Sequence, residues 1–170
     1  MLYTLPDPLP YAPDLLVERL VSRDRRVLLT GPTGSGKTTL AAALASALDN
    51  QGRPVSCLAA DPGAPVFGAP GALGLGDWHQ GVWSLRSLEA LCTLDAARFR
   101  LPLVSAARVL ARQVGDGILL VDAPGVVRGV AGAELLESLV EAAAVDLILV
   151  LTREGQPVPL APELASLNIE

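Results

Sequence analysis

A chain of 170 residues, 51% hydrophobic and 18% charged, is long enough for one domain with a core of its own and too apolar for disorder. Its formal net charge of −5 excludes nucleic-acid binding spread over the whole surface and leaves room only for a local arginine track. A 4% aromatic share excludes a stacking platform for single strands.

Residues 1–13 carry Pro6, Pro8, Pro10 and Pro13, which predicts an extended arm packed through Tyr3 and Tyr11. The chain does not open on a basic segment followed by an apolar stretch. Nor does any apolar run approach the ~18 residues of a bilayer span, so neither a signal peptide nor a membrane contact is expected. Asp14 is placed to cap a short helix to about Ser22, with Leu15, Leu16, Leu20 and Val21 facing inward. Arg23-Asp24-Arg25-Arg26 reads as a solvated turn.

Val27-Leu28-Leu29-Thr30 is a short apolar run of the kind a buried parallel strand needs. Gly31-Pro32-Thr33-Gly34-Ser35-Gly36-Lys37-Thr38 follows and fits G-x-x-x-x-G-K-[ST] in full. Its glycines let backbone N–H groups turn inward around anionic oxygens. A helix from Lys37 to Leu48, with Leu40, Leu44 and Leu48 on one face, adds its positive end. Lys37, the only lysine of the chain, can reach the β and γ phosphates, and the Thr38 hydroxyl can hold Mg²⁺. With Thr39 in the same turn, Gly31 to Thr39 form the predicted nucleotide site.

Gly52 closes that helix. Pro54 to Ala60 is a second strand, ending at Asp61-Pro62-Gly63. A strand–cradle–helix–strand unit makes the two strands parallel and sets Asp61 on the carboxyl rim, where open α/β sheets bind ligands. Residues 62–81, dense in Gly and Pro, predict a long loop, functional or disordered; His79 within it is assigned no role. Residues 82–94 place Leu85, Leu88, Leu91 and Leu94 at helical spacing but are short, and are read as a strand. A helix from about Pro102 to Val114 comes next.

Ile118-Leu119-Leu120-Val121-Asp122, four apolar residues ending in Asp, has the Walker B pattern. Ala123-Pro124-Gly125 turns the chain, Glu134 to Ala144 predicts a helix, and Val145 to Leu151 another parallel strand. The tail, with Pro157, Pro159 and Pro162, holds one short helical turn. Cys57 and Cys92 lie in apolar strand-like runs and read as buried thiols of a cytoplasmic protein. The organisation is thus an arm and short helix over 1–25, a P-loop NTPase domain over 26–155 and a Pro-rich tail over 156–170. The fold class is α/β, with a doubly wound, mainly parallel sheet and helices on both faces.

The cradle, the Asp61 loop and the Asp122 loop converge above the sheet, which is the set phosphoryl transfer needs. Asp122 fits support of the metal. Asp61 fits either metal support or general base toward an acceptor hydroxyl. Guanine-specific sites often carry Asn-Lys-x-Asp after a later strand. Thr152-Arg153-Glu154-Gly155 stands at that place, so ATP is expected rather than GTP.

Three stretches together resemble the Clp1/Grc3/Nol9-type polynucleotide 5′-hydroxyl kinases: the cradle 31–38, Asp61-Pro62-Gly63 with Phe67 and Ala69-Pro70-Gly71, and Val121 to Gly129. The likeness covers about residues 26–151. It implies ATP with Mg²⁺ and transfer of the γ-phosphoryl to an RNA or DNA 5′-hydroxyl. Asp61 would activate that hydroxyl, with Lys37 and Thr38 on phosphate and metal, and Arg98, Arg100 or Arg128 would supply further positive charge. Ala64 replaces the Gln that follows Asp-Pro-Gly in that family. Two other readings stay open: an NTPase of the metallochaperone or G-protein-chaperone type, and an ATP-binding module without turnover.

Overall fold

The computed structural model describes residues 13–21, 25–153, 155–167 and 169. The expected arm with Tyr3 and Tyr11 lies outside the described residues. The elements in chain order are α1 (Pro13–Val21), β1 (Arg25–Thr30), α2 (Lys37–Asp49), β2 (Val55–Ala59), β3 (Ala72–His79), β4 (Val82–Ala90), α3 (Arg100–Ala111), β5 (Ile118–Asp122), α4 (Gly129–Ala143), β6 (Leu147–Val150) and α5 (Ala161–Ser166). Among the described residues, no helix is long and apolar enough to cross a membrane.

The strands form one sheet in the order β4-β3-β2-β5-β1-β6. β2, β5, β1 and β6 are parallel, and β3 and β4 join antiparallel at one edge. This is the expected doubly wound, mainly parallel sheet. Side chains alternate across each strand, so the apolar runs feed two cores. Leu29, Val27, Ile118 and Leu120 meet Val17, Leu20, Leu40, Leu44 and Leu48 of α1 and α2 on one face. Leu28, Leu58, Leu119 and Val121 meet Leu103, Leu110, Leu135 and Leu139 of α3 and α4 on the other. Each fully buried leucine contributes about 1.5–3 kcal/mol. The two cores therefore hold the fold, and the carboxyl rim is free to carry glycine turns and unpaired polar groups. α5 reaches the second core through Leu164, 7% exposed.

Several expectations need correcting. The Gly-rich stretch 62–81 is not all loop, because Ala72–His79 is β3. Gly74 and Gly76 sit in that strand because the Phe67 ring lies on them; a Cβ there would stand 3.1 and 2.9 Å from ring carbons. Gln80 and Gly81, both at positive φ (50° and 86°), make the tight turn that matches strand twist in a hairpin. The strand reading of 82–94 holds for Val82–Ala90. Cys57 is buried as expected, but Cys92 is exposed, since it follows the outermost strand rather than belonging to a central one. α4 begins at Gly129, five residues before the expected Glu134, because Gly132 packs against Val127 instead of breaking the helix.

The basic run before β1 is not a solvated turn at Arg25 and Arg26. Arg25 is 6% exposed and pairs with Asp146 at 3.2 Å. Arg26 donates to the carbonyls of Ala111 (3.2 Å), Val114 (3.1 Å) and Ala143 (3.0 Å). Those carbonyls end α3 and α4, where backbone acceptors lack helical partners. A guanidinium at the foot of β1 satisfies both helix ends together.

Candidate nucleotide site

β1 ends at Thr30 and α2 begins at Lys37, so the cradle is the whole connection between a buried strand and the helix above it. Gly34 and Gly36 have positive φ, 76° and 93°, which turns successive N–H groups to one side as an anion nest requires. Gly31 has a different task. A side chain there would meet the Leu151 carbonyl and approach Ser35 Oγ at 2.8 Å. Its absence lets β6 continue its ladder past the cradle, with Leu151 N–H donating to the Thr30 carbonyl at 2.8 Å.

Lys37 is 8% exposed, and its Nζ donates to the carbonyls of Gly31 (3.0 Å) and Pro32 (3.2 Å). The ammonium is thus held over the nest by the loop itself, within reach of any anion placed there. Thr38 Oγ1 donates to Asp122 Oδ2 at 2.7 Å. This contact follows from the sheet: β5 lies beside β1 with Leu29 opposite Asp122, so the strand-end carboxylate faces the first turn of α2. Asp122 is 3% exposed, and its Oδ1 is buried without a hydrogen-bond partner among the described residues. Burial pushes its carboxyl above the usual range, and Asp61 pushes the same way. The Thr38 bond and the charge of Lys37 act against both.

Asp61 stands two residues beyond Ala59, which is opposite Asp122 across β2 and β5. It is half-buried, and its Oδ1 accepts from Gly63 N–H at 2.9 Å. One carboxylate oxygen therefore shapes the Asp-Pro-Gly turn. Among the described residues no donor reaches the other. The turn after β5 also touches the cradle: a Cβ on Gly125 would stand 2.8 Å from Thr33 N. Thr39 is exposed beside Thr38 on the same turn.

Two clefts open from Thr33. One, of about 480 Å³, is lined by Asp61, Thr93, Asp95, Gly125 and Val126 among others. The other, of about 890 Å³, lies toward β6 and the tail and includes Pro32, Arg128, Arg153, Gln156 and Glu163 in its wall. Of the arginines expected to add positive charge, only Arg128 lines a cleft next to the cradle. Arg100 is committed to Glu134 on α4 at 2.6 Å and to the Ala97 carbonyl. Arg98 is exposed and lines neither cleft. Sequence reasoning passed over Arg153, having met it only as part of a missing base motif. The signal available was its place three residues past β6, the strand that flanks the cradle strand.

The donors present fit a magnesium-bound triphosphate. A hydroxyl and a carboxylate with a spare oxygen are hard ligands of the kind Mg²⁺ takes, the rest being water and substrate phosphates. The orphaned Asp122 Oδ1 is the polar atom such an ion, or its water, would satisfy.

Comparison with known proteins follows the same line. No curated protein sequence matches the chain. A solved structure of the wild-type Clp1p–Pcf11p complex is similar, with TM-score 0.67 and 20% identity over 84% of this chain and 41% of that one. A second, solved for the extended interface between Pcf11p and Clp1p and for ATP loss in a glycine-to-arginine point mutant, gives 0.64 and 19% over 84% and 42%. The chain thus spans about two fifths of those structures, and at these identities the likeness is one of fold. The resemblance to the 5′-hydroxyl kinases is supported only to that extent. Residues 12–155, most of the chain, match the profile of the family described as Methylmalonyl Co-A mutase-associated GTPase MeaB. The protein therefore belongs to the MeaB family and carries a P-loop NTPase-type domain.

Proposed function

We propose that the protein is a magnesium-dependent nucleoside triphosphatase, with GTP as its nucleotide. The observation that carries the reading is the Thr38–Asp122 contact at the mouth of the cradle, with Asp122 Oδ1 left unpaired. The family's description as a GTPase supports guanine over the adenine expected from the missing Asn-Lys-x-Asp.

The steps follow from the side chains. The nest N–H groups and the end of α2 take the phosphate oxygens. Lys37 exchanges its two loop carbonyls for β and γ oxygens, a short move because those carbonyls frame the nest. Thr38 and Asp122, the latter directly or through water, would hold Mg²⁺, which would supply charge neutralisation at the phosphates. Asp61, with one oxygen fixed by Gly63 N–H and its side chain in the lining of the 480 Å³ cleft, orients a water there. The water oxygen bonds to the γ phosphorus while the bond to the β–γ bridging oxygen breaks. The diphosphate leaves with that electron pair, and the water proton passes to Asp61 or to the released phosphate.

The open cleft beside Asp61 favours a second reading, ATP-dependent phosphorylation of a polynucleotide 5′-hydroxyl. Asp61 would then accept the proton of that hydroxyl instead of a water's. Both readings suit the cytoplasm, where nucleoside triphosphates are abundant. The first takes a client enzyme of the mutase kind as partner and the second an RNA or DNA 5′ end. One experiment separates them. Incubation with γ-labelled GTP or ATP, with and without Mg²⁺ and a 5′-hydroxyl oligonucleotide, yields free labelled phosphate under the first reading and labelled oligonucleotide under the second. Absence of both products would remove turnover and leave a nucleotide-binding module.

A further inference from the structure

Asp61 opens a loop whose ends meet. Gly71 N–H donates to the Pro62 carbonyl at 2.9 Å, and the Gly71 carbonyl accepts from Leu91 and Cys92 N–H, both at 2.8 Å. Residues 62–71 are thus a closed Ω-loop latched to the segment after β4. The first turn of that loop holds Asp61 itself. Ala64 N–H donates to the Asp61 carbonyl at 3.3 Å, and Gly63 N–H to its Oδ1 at 2.9 Å. A Cβ on Gly63 would stand 3.0 Å from the Leu94 carbonyl, so the turn has little room to shift inward. Where the loop sits decides where the carboxylate sits.

Backbone bonds fix the neck of the loop, and one side chain fixes its middle. Phe67 is half-buried, with its ring over Gly74 and Gly76 of β3. Gly74 is opposite Ala59, two residues before Asp61, so the ring is seated beside the strand that leads to Asp61. The Phe67 and Trp83 ring centroids are 5.8 Å apart, and Trp83 meets Trp78 edge-on at 4.8 Å. Trp78 belongs to the core beneath α1 and α2, which ties the ring to a rigid part of the fold. The atoms nearest a Cβ on Gly74 belong to the Phe67 ring and the end of Leu85. A methyl added there would press on the ring rather than on backbone.

We propose that Phe67 is a positioning residue for Asp61. Its ring, seated on Gly74 and Gly76, keeps the 62–71 loop against β3 and so holds the Asp61 carboxylate at the 480 Å³ cleft. This deepens the triphosphatase reading and rests on it for the role of Asp61. Removing the ring frees the middle of the loop and leaves the cradle, Thr38 and Asp122 as they are, because the ring lies against β3 and Trp83. The loss therefore falls on the reaction and not on nucleotide affinity. A shift of about 1 Å in an orienting group lowers a rate on the order of 10²-fold.

The test compares Phe67→Ala, Phe67→Leu and Gly74→Ala, each alone and combined with Asp61→Asn. GTPγS affinity with Mg²⁺, single-turnover phosphate release from GTP and residue-resolved amide hydrogen exchange are measured; the adenine nucleotides are used if they bind tighter. Phe67→Ala is expected to keep GTPγS affinity within about twofold and to release phosphate on the order of 10²-fold more slowly. Exchange at Gly63 and Gly71 should quicken about tenfold or more, while amides of β1 and β5 keep their wild-type rates. Phe67→Leu should recover part of the loss, and Gly74→Ala should show a smaller loss of the same kind. With Asp61 already replaced by Asn, Phe67→Ala should slow release no further, since residues acting as one unit are not additive. Should Phe67→Ala also loosen β1 and β5, Gly74→Ala, which keeps the ring and shifts its seat, carries the comparison. Unchanged exchange at Gly63 and Gly71, an additive loss in the double variant, or weakened GTPγS binding would overturn the proposal. No release by wild type, or normal release by Asp61→Asn, would instead remove the underlying reading. Exchange at Gly63, whose N–H is bonded by Asp61 itself, still decides whether Phe67 holds that turn in a protein that turns nothing over.

Discussion

Replacing Asp122 by Asn separates two effects that share one side chain. In the free protein the carboxylate is 3% exposed, accepts one bond from Thr38 and leaves Oδ1 without a partner. A buried acceptor left unmade costs ~1–3 kcal/mol, and more when it carries charge. Asn keeps the shape and an oxygen for Thr38. Its unpaired amide N–H is a neutral orphan, cheaper to bury than a charged one. The nucleotide-free variant should therefore gain on the order of 1 kcal/mol, about 2–4 °C in Tm for a chain of this size.

The pH dependence of that gain has a definite sign. The folded carboxyl is raised above its ordinary value of 3.8, chiefly by burial. The native state thus holds this proton more tightly than the unfolded chain does. Its contribution is fully present below the unfolded value and is lost as pH rises through the folded one. Asn has no such loss, so the variant's advantage should grow as pH rises from about 3.8 and then level off. With Mg²⁺ and GTPγS the order should reverse, since tenfold weaker binding removes about 1.4 kcal/mol of ligand stabilisation at saturation. Thermal unfolding of both proteins, with and without ligand across pH, reads all of this. A variant that is less stable when free, or as strongly stabilised by Mg²⁺ and nucleotide as wild type, would refute the reasoning.

Three further substitutions bear on the account. Lys37→Ala should abolish nucleotide binding by calorimetry while leaving the circular dichroism spectrum intact, because among the described residues Nζ bonds only to cradle carbonyls; retained affinity would take Lys37 out of the site. Asp61→Asn should keep nucleotide affinity and slow phosphate release about 10²–10⁴-fold, and a normal rate would show that this carboxylate orients nothing. Arg26→Ala should destabilise by about 2–4 kcal/mol in denaturant unfolding, since it strands the Val114 and Ala143 carbonyls and leaves Ala111 only the Val114 N–H at 3.3 Å. A loss under 1 kcal/mol would mean that water satisfies them as well.

Much of the fold could be read from local pattern, and the exceptions share a cause. The cradle, α2 and the apolar runs of β1, β2 and β5 follow from spacing and composition because their environment is dictated nearby in sequence. β3 could not be read that way. Gly74 and Gly76 look like loop residues until the Phe67 ring is seen lying on them. Arg25 and Arg26 look like a surface charge run until the sheet puts the foot of β1 beneath two helix ends. Cys92 looks buried by its neighbours, yet the strand before it is the outermost one. At the site, Lys37, Thr38 and Asp122 were legible from motif and topology together. The bond between Thr38 and Asp122 needed the order β2-β5-β1, and the place of Arg153 needed β6 on the other flank. Pairing across long sequence separation, which no local pattern encodes, decided each of these.

Calorimetric titration of the wild-type protein with GTPγS, with and without Mg²⁺, tests the central claim most directly. The account predicts one site per chain, with affinity at least tenfold higher when Mg²⁺ is present, because Thr38 and Asp122 engage the ion only alongside the phosphates. Binding indifferent to Mg²⁺, or no binding of GTPγS and none of its adenine counterpart, would contradict it.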